Sequence, residues 1–297
     1  MKWVAFIFCS LLAVAALSQV PPEIEDAGII GINKLPPRTA FWPSPGPEEA
    51  VKTDYHHSVW VKSLNGIWDF KWSPDPQSRP AGFYKPEYDR KGWSTIEVPS
   101  TIERQGFGIP LYVNITYPFK ANPPFVMDEP DPEFTTYKQR NPVGSYCRSF
   151  TVPPGWKGRR IILHLAGSSS GTFVWVNGKK VGYSQDSRLP AEFDITGSLK
   201  KGENFLAIET YKYCDGSYLE DQDFWRFSGI YRDVFIRAVP PVALWDVYAR
   251  PVTNVENSLG SLILHYSPVN FKGKDVSGLT IDVSVNDPDG KLVVNSK

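Results

Sequence analysis

The chain of 297 residues is poor in the residue types that most often announce chemistry. It has three cysteines and four histidines, with no CxxC or HxxxH spacing, which excludes a zinc module and a disulfide framework. It has no glycine-rich phosphate loop and no nucleophile elbow. It carries no net charge: 32 Lys and Arg balance 32 Asp and Glu, and the pI is near 6.9. A general nucleic-acid or anionic-membrane surface is therefore not expected. No helical period is sustained anywhere. Beyond residue 18 no run is long and apolar enough to cross a bilayer, so no membrane partner is expected once that leader is removed.

What is abundant points to strands and turns. Aromatic residues make up 14% of the chain, with ten tryptophans, and proline occurs 27 times, well above the usual share of roughly 5%. Aromatic rings fill cores, and they also supply the flat faces of sugar-binding surfaces. Residues 1–18 read as a secretory signal: Lys2 gives the positive start, the run to Leu17 is mostly apolar, and Ala16-Leu17-Ser18 is a small-x-small cleavage site. A membrane anchor is the rival reading, but the run is short for a span. A secreted protein, extracellular or periplasmic, is expected. Residues 19–59, rich in Pro, Glu and Gly, read as an extended arm, with Arg38, Phe41 and Trp42 able to anchor it.

From Trp60 the alternation of a sheet begins. In Leu64–Trp72, Ile67 lies on one parity and Trp68, Phe70 and Trp72 on the other, and Pro74 stops the run. Further strands are expected at Trp93–Pro99, Ile109–Tyr117, Ser145–Val152, Arg160–Leu165, Thr172–Val176, Lys180–Tyr183, Phe193–Ile195 and Asn204–Tyr211. Asn177-Gly178 is a strong hairpin turn, and Pro118–Pro142 is a proline-crowded loop of a length that is often functional. Many short strands without helices predict an all-β chain, with a jelly-roll-like β-sandwich over 60–239. After Pro240-Pro241 three strands and the start of a fourth follow, a little over half of the roughly seven in an immunoglobulin-like sandwich. Residues 240–297 are expected to begin such a domain, incomplete here, and the chain to be the front part of something longer.

Three places carry candidate chemistry. The stretch Asp215–Val234 sets Glu220, Asp221 and Asp223 beside Phe224, Trp225 and Phe227, with Arg226 and Arg232 close by. Charges among aromatics are costly unless each has a partner, so a structural salt-bridge corner is the favoured reading. The rival is a carboxylate pair, since Asp221 and Asp223 on one strand face would lie about 7 Å apart. In Tyr183–Arg188, Asp186 sits in a loop after the hairpin. Its carboxylate can accept hydrogen bonds from two neighbouring sugar hydroxyls, or ligate a hard cation, or simply pair with Arg188. Asn114 offers both a donor and an acceptor to a hydroxyl, and it opens Asn114-Ile115-Thr116, the sole glycosylation sequon; a glycan and a buried ligand contact there exclude each other. The adjacent pair His56-His57 reads as solvated. Cys147 and Cys214, left once Cys9 departs with the signal, read as two buried thiols rather than a bridge.

Several blocks carry a resemblance. L-N-G-I-W-D-F from Leu64, P-L-Y-V-N-I-T-Y-P-F from Pro110 and N-P-P-F-V from Asn122 are the shorter ones. V-N-G-K-K-V-G-Y-S-Q-D-S-R-L-P-A-E-F-D from Val176 and D-G-S-Y-L-E-D-Q-D-F-W-R-F-S-G-I-Y-R-D-V from Asp215 are long and specific. From about Gly31 to its end the chain resembles the N-terminal part of bacterial-type β-galactosidases of glycoside hydrolase family 2. The resemblance implies a jelly-roll sugar-binding domain, an immunoglobulin-like domain and then a TIM barrel. It implies that Asp186 reaches the galactose pocket, contacts sugar hydroxyls and helps hold a sodium ion, and that Asn114 lines the same pocket. The family's acid/base and nucleophile are two glutamates on the barrel, acting in a retaining hydrolysis. That barrel and its magnesium site lie outside this sequence, so no catalytic residue is assigned here, and the chain alone is expected to be inactive. Glu220, Asp221, Asp223, Arg226 and Arg232 stay structural. The complete protein is expected to take a galactoside and to form a homo-oligomer. The alternatives are a non-catalytic galactoside-binding module and a β-glucuronidase or β-mannosidase on the same scaffold; Y-V-N-I-T-Y-P and S-Q-D-S-R favour the galactosidase.

Overall fold

The structure is a computed structural model and describes residues 20–50, 55, 58–114, 116–128, 139–220, 223–271, 273 and 277–296. His56, His57 and Asp221, and the signal reading of 1–18, lie outside the described residues. The chain divides into two compact units. One comprises Met1–Pro37, Trp42–Trp156 and Ile161–Ala238, and the other Arg38–Phe41, Lys157–Arg160 and Val239–Lys297.

The strands of the first unit are β1 (Gly31–Ile32), β2 (Val61–Ser63), β3 (Gly66–Ser73), β4 (Ser94–Val98), β5 (Leu111–Val113), β6 (Val143–Thr151), β7 (Arg160–Leu165) and β8 (Ser168–Ser169). They continue with β9 (Gly171–Val176), β10 (Lys179–Ser184), β11 (Ala191–Asp194), β12 (Glu203–Tyr211), β13 (Phe224–Arg226), β14 (Gly229–Ile230) and β15 (Val234–Val239). Seven of them form an antiparallel sheet in the order β1-β10-β9-β12-β6-β3-β4, and four a second sheet, β11-β7-β15-β2. The all-β sandwich read from the sequence is what the chain forms.

Alternation decides which residues enter the core. In β3, Ile67 is exposed while Trp68 and Phe70 are buried, as their parity requires. The core between the sheets takes Trp68, Phe70, Tyr146, Val174, Leu206 and Ile208 from the large sheet and Leu163, Leu165, Phe193, Val234 and Ile236 from the small one. The large sheet is covered on its outer face too. There Phe83, Cys147, Phe205 and Ala207 pack with Tyr84, Tyr88 and Trp93, while Phe173, Tyr183 and Tyr211 pack with Phe119 and Val126. Burial on both faces is why β12 is apolar or buried at almost every position rather than at alternate ones. Cys147 and Cys214 are free and buried, and burial pushes each thiol up to about 12.

The N-terminal arm touches the first unit at several of its described residues. A single 3-10 turn at Pro22–Ile24 buries Ile24 against the outer-face cluster. Gly31 and Ile32 then add an edge strand, pairing with Ser184 and Tyr183 of β10. Trp42 packs edge-on to Phe235, with ring centroids 5.1 Å apart. In the hairpin β9–β10, Asn177 and Gly178 both take positive φ, which matches the right-handed twist of the strands they join.

The second unit contains two hairpins. Long strands β16 (Val242–Asn254) and β17 (Leu259–Asn270) pair over their whole length, and β18 (Val283–Asn286) pairs with β19 (Leu292–Ser296). The third of these strands begins at Val283, after the turn at 277–278. Within this unit the Arg38 guanidinium lies over the rings of Phe41 and Trp245.

Candidate functional site

The hairpin β9–β10 delivers the turn that carries Asp186. Its neighbours are fixed while Asp186 itself is exposed. Gln185 is buried: its side-chain amide donates to the Tyr183 hydroxyl at 2.9 Å and to the Asp215 carboxylate, and its backbone N–H donates to the Ile30 carbonyl at 3.1 Å. Ser187 is buried: its N–H and its hydroxyl donate to the two oxygens of Glu220, each at 2.6 Å, and its carbonyl accepts from the Tyr231 hydroxyl. Between these two clamps Asp186 takes φ 78°, a left-handed backbone that Asp tolerates better than most residues. The result is a turn hydrogen-bonded on both sides, from which one carboxylate projects into solvent. Burial lowers the Lys34 ammonium, and the nearby Asp186 charge opposes that shift. The expected Asp186–Arg188 loop pair takes a different form. The Arg188 backbone N–H approaches Asp186 Oδ1 at 3.4 Å, while its guanidinium lies over the rings of Phe224 and Tyr231.

The corner at Asp215–Val234 packs against that turn. Glu220, read as one of its structural charges, is the clamp on Ser187. Arg226 donates to the Glu220 backbone carbonyl at 3.4 Å and lies over Phe224, and Arg232 donates to the Arg188 carbonyl at 2.9 Å and lies over Tyr231. Asp215, buried, is raised by that burial, with the Gln185 hydrogen bond opposing. Asp223 stands apart from the clamp, exposed, and accepts from the Tyr112 hydroxyl.

Asn114 is exposed and follows directly on β5, which pairs with β13 as a separate two-stranded ribbon. The strand expected over Ile109–Tyr117 is therefore only three residues long, and it belongs to neither main sheet.

Some polar residues of this region gave no signal in the sequence. Glu103 and Lys212 are buried and joined at 2.8 Å, and the Glu103 carboxylate also accepts from the Ser228 N–H at 2.9 Å and hydroxyl at 2.8 Å. A small cavity of about 30 Å³, room for about one water, is lined by Lys212 together with Arg188, Glu220, Arg226, Ser170 and Tyr213. Neither Asp186 nor Asn114 lines it. Among the described residues no three His, Cys, Asp or Glu side chains come together as a metal site. Asp186 offers the donor type a hard cation prefers, as a single carboxylate.

The sequence profile described as "Glycosyl hydrolases family 2, sugar binding domain" matches residues 61–240. The chain belongs to glycoside hydrolase family 2. This family 2 chain is 38% identical over 268 residues to a β-galactosidase of Priestia megaterium, covering 90% of the chain and 25% of that protein. It is 36% identical over 290 residues to a β-galactosidase large subunit of Leuconostoc lactis, covering 92% of the chain and 43% of that subunit. The chain thus spans less than half the length of these relatives. Among solved structures, a Bifidobacterium dentium β-glucuronidase overlays with TM-score 0.58 at 20% identity, over 80% of this chain and 39% of that one, a likeness of fold.

Proposed function

We propose that this family 2 chain is the sugar-binding portion of a secreted β-galactosidase that removes terminal β-D-galactose residues from β-galactosides. The observation that carries the reading is the Asp186 turn. Gln185 and Ser187 are both buried and hydrogen-bonded, so of these three side chains it is the Asp186 carboxylate that faces solvent and can meet a ligand. A backbone already held on both sides loses little entropy on binding, and its carboxylate can accept from two adjacent hydroxyls of a pyranose. The identity of 36% and 38% to proteins named β-galactosidase supports galactose as that pyranose.

Asn114 supplies a second, two-way contact to the same sugar, and its exposure leaves it accessible. Asp186 is the carboxylate of this chain that would help hold a sodium ion, together with ligands from outside it, and a bound ion would offset the carboxylate's charge beside the sugar. Hydrolysis with retention belongs to two glutamates on a barrel beyond this sequence, as does a magnesium site. The complete enzyme acts as a homo-oligomer.

The test is Asp186→Asn in the complete enzyme. Loss of the charge should lower kcat/KM for a chromogenic β-galactoside by a few hundredfold, about 3 kcal/mol of transition-state stabilisation. An unchanged kcat/KM removes Asp186 from the site. Turnover by the 297-residue chain alone would overturn the placement of the catalytic groups elsewhere.

A further inference from the structure

The β5–β13 ribbon lies outside both sheets of the sandwich and turns one face to solvent. Alternation sends Val113 and Phe224 inward, and sets Tyr112, Asn114, Asp223 and Trp225 outward. Tyr112 and Trp225 are partners in register, with ring centroids 5.7 Å apart. Phe227 stacks on Trp225 at 6.1 Å and 21°. Despite these contacts Tyr112 is 44% and Trp225 51% exposed. Neither ring belongs to the core cluster between the sheets.

The surroundings of this aromatic pair are specific. Antiparallel pairing brings Asn114 and Asp223 to the same end of the ribbon, one after Val113 and the other before Phe224. The Tyr112 hydroxyl donates to Asp223 Oδ1 and so fixes the carboxylate beside the rings; the same contact raises the Tyr112 phenol. A flat apolar surface ending in an amide and an oriented carboxylate has the two-sided character of a pyranose, whose axial C–H face is apolar and whose equatorial hydroxyls are polar.

We propose that the outward face of this ribbon is a saccharide-stacking site: Trp225 carries the apolar face of a pyranose, and Asp223 accepts from its hydroxyls. The inference rests on the galactoside reading. Asn114, assigned there to the terminal galactose, stands on the same face as Trp225, so the ribbon extends that position toward the next sugar of the substrate. The site would separate galactosyl disaccharides from galactosides with a small aglycone.

The experiment measures binding to the complete protein of two ligands that are not hydrolysed: methyl β-thiogalactoside and an S-linked galactosyl disaccharide. In Trp225→Ala the disaccharide should bind about tenfold more weakly while the methyl thiogalactoside changes less than about twofold. Trp225→Phe, which keeps a flat ring, should recover most of the loss. Equal weakening of both ligands, or of neither, overturns the stacking site. A large drop in melting temperature with loss of both ligands also overturns it, and marks the face as packed against protein. If the wild-type protein binds neither ligand, the galactoside reading fails first and this inference falls with it.

Discussion

At the scale of single residues, the function proposed for Asp186 depends on side chains that never touch a ligand. Glu220 is the clearest case, since both of its oxygens are occupied by Ser187. Glu220→Ala leaves the Ser187 N–H without its acceptor in a buried place, at a cost of about 1–3 kcal/mol. The turn then loses its downstream clamp while Asp186 keeps its charge. Urea unfolding should show that loss, and in the complete enzyme KM for a β-galactoside should rise severalfold, whereas a Glu220 acting only as a structural charge would leave KM alone. The exposure of Asp186 was legible in the sequence, because Asn177-Gly178 fixes a hairpin and the polar run Ser184–Arg188 follows its second strand. Its clamp was not legible. Ser187 and Glu220 are 33 residues apart, and Glu103 and Lys212 are 109 apart, with no local pattern joining either pair. The corner was read as carboxylates answered by arginines; Arg226 does reach the Glu220 carbonyl, and the two Glu220 carboxylate oxygens also take a serine while Asp223 takes a tyrosine. Composition names the charges of a cluster; only the fold decides which neutral donor reaches them.

At the scale of elements, the sequence shows most where one face of a strand is buried and least where a strand is very short. β3 alternates because its outward side chains meet solvent, and β6, β9 and β12 are found within two residues of where their apolar runs placed them. β1 has only two residues and no pattern of its own, so the arm gave no strand signal. What admits β1 is a glycine in its neighbour. A Cβ placed on Gly182 would collide with the Ile32 carbonyl oxygen and stand 2.6 Å from a Phe193 ring carbon, so only glycine lets β1 and the core close on this point. Gly182→Ala should destabilise the protein by about 1–3 kcal/mol through overpacking. Gly197→Ala, where no atom lies within 4 Å of the added carbon, is the matched control and should be close to neutral. Denaturant midpoints of the two variants check this. Because the Gln185 N–H is bound by Ile30 just before β1, Gly182→Ala should also weaken galactoside binding in the complete protein, and Gly197→Ala should not.

At the scale of the whole chain, the two units differ in how well each buries its own apolar surface. The first has a closed core and a second covered face. In the second, Val252, Leu259, Leu262, Tyr266, Val293 and Val294 are all exposed, and its two hairpins leave a gap of about 670 Å³ lined by Leu262, Leu264, Ile281, Val285 and Val294. Hairpins of two strands are marginal alone in water, and open apolar edges invite association. A polypeptide of residues 1–297 should therefore bind the dye ANS strongly and associate as its concentration rises. One ending at residue 239 should lose most of the dye signal while keeping a cooperative thermal transition, because the core it retains is complete without the second unit. Fluorescence titration and sedimentation at several concentrations separate the outcomes. If the shorter polypeptide still binds the dye, the exposed apolar surface belongs to the first unit, and the β5–β13 ribbon is the first place to look, with Trp225→Ala as the variant that should then quench the signal.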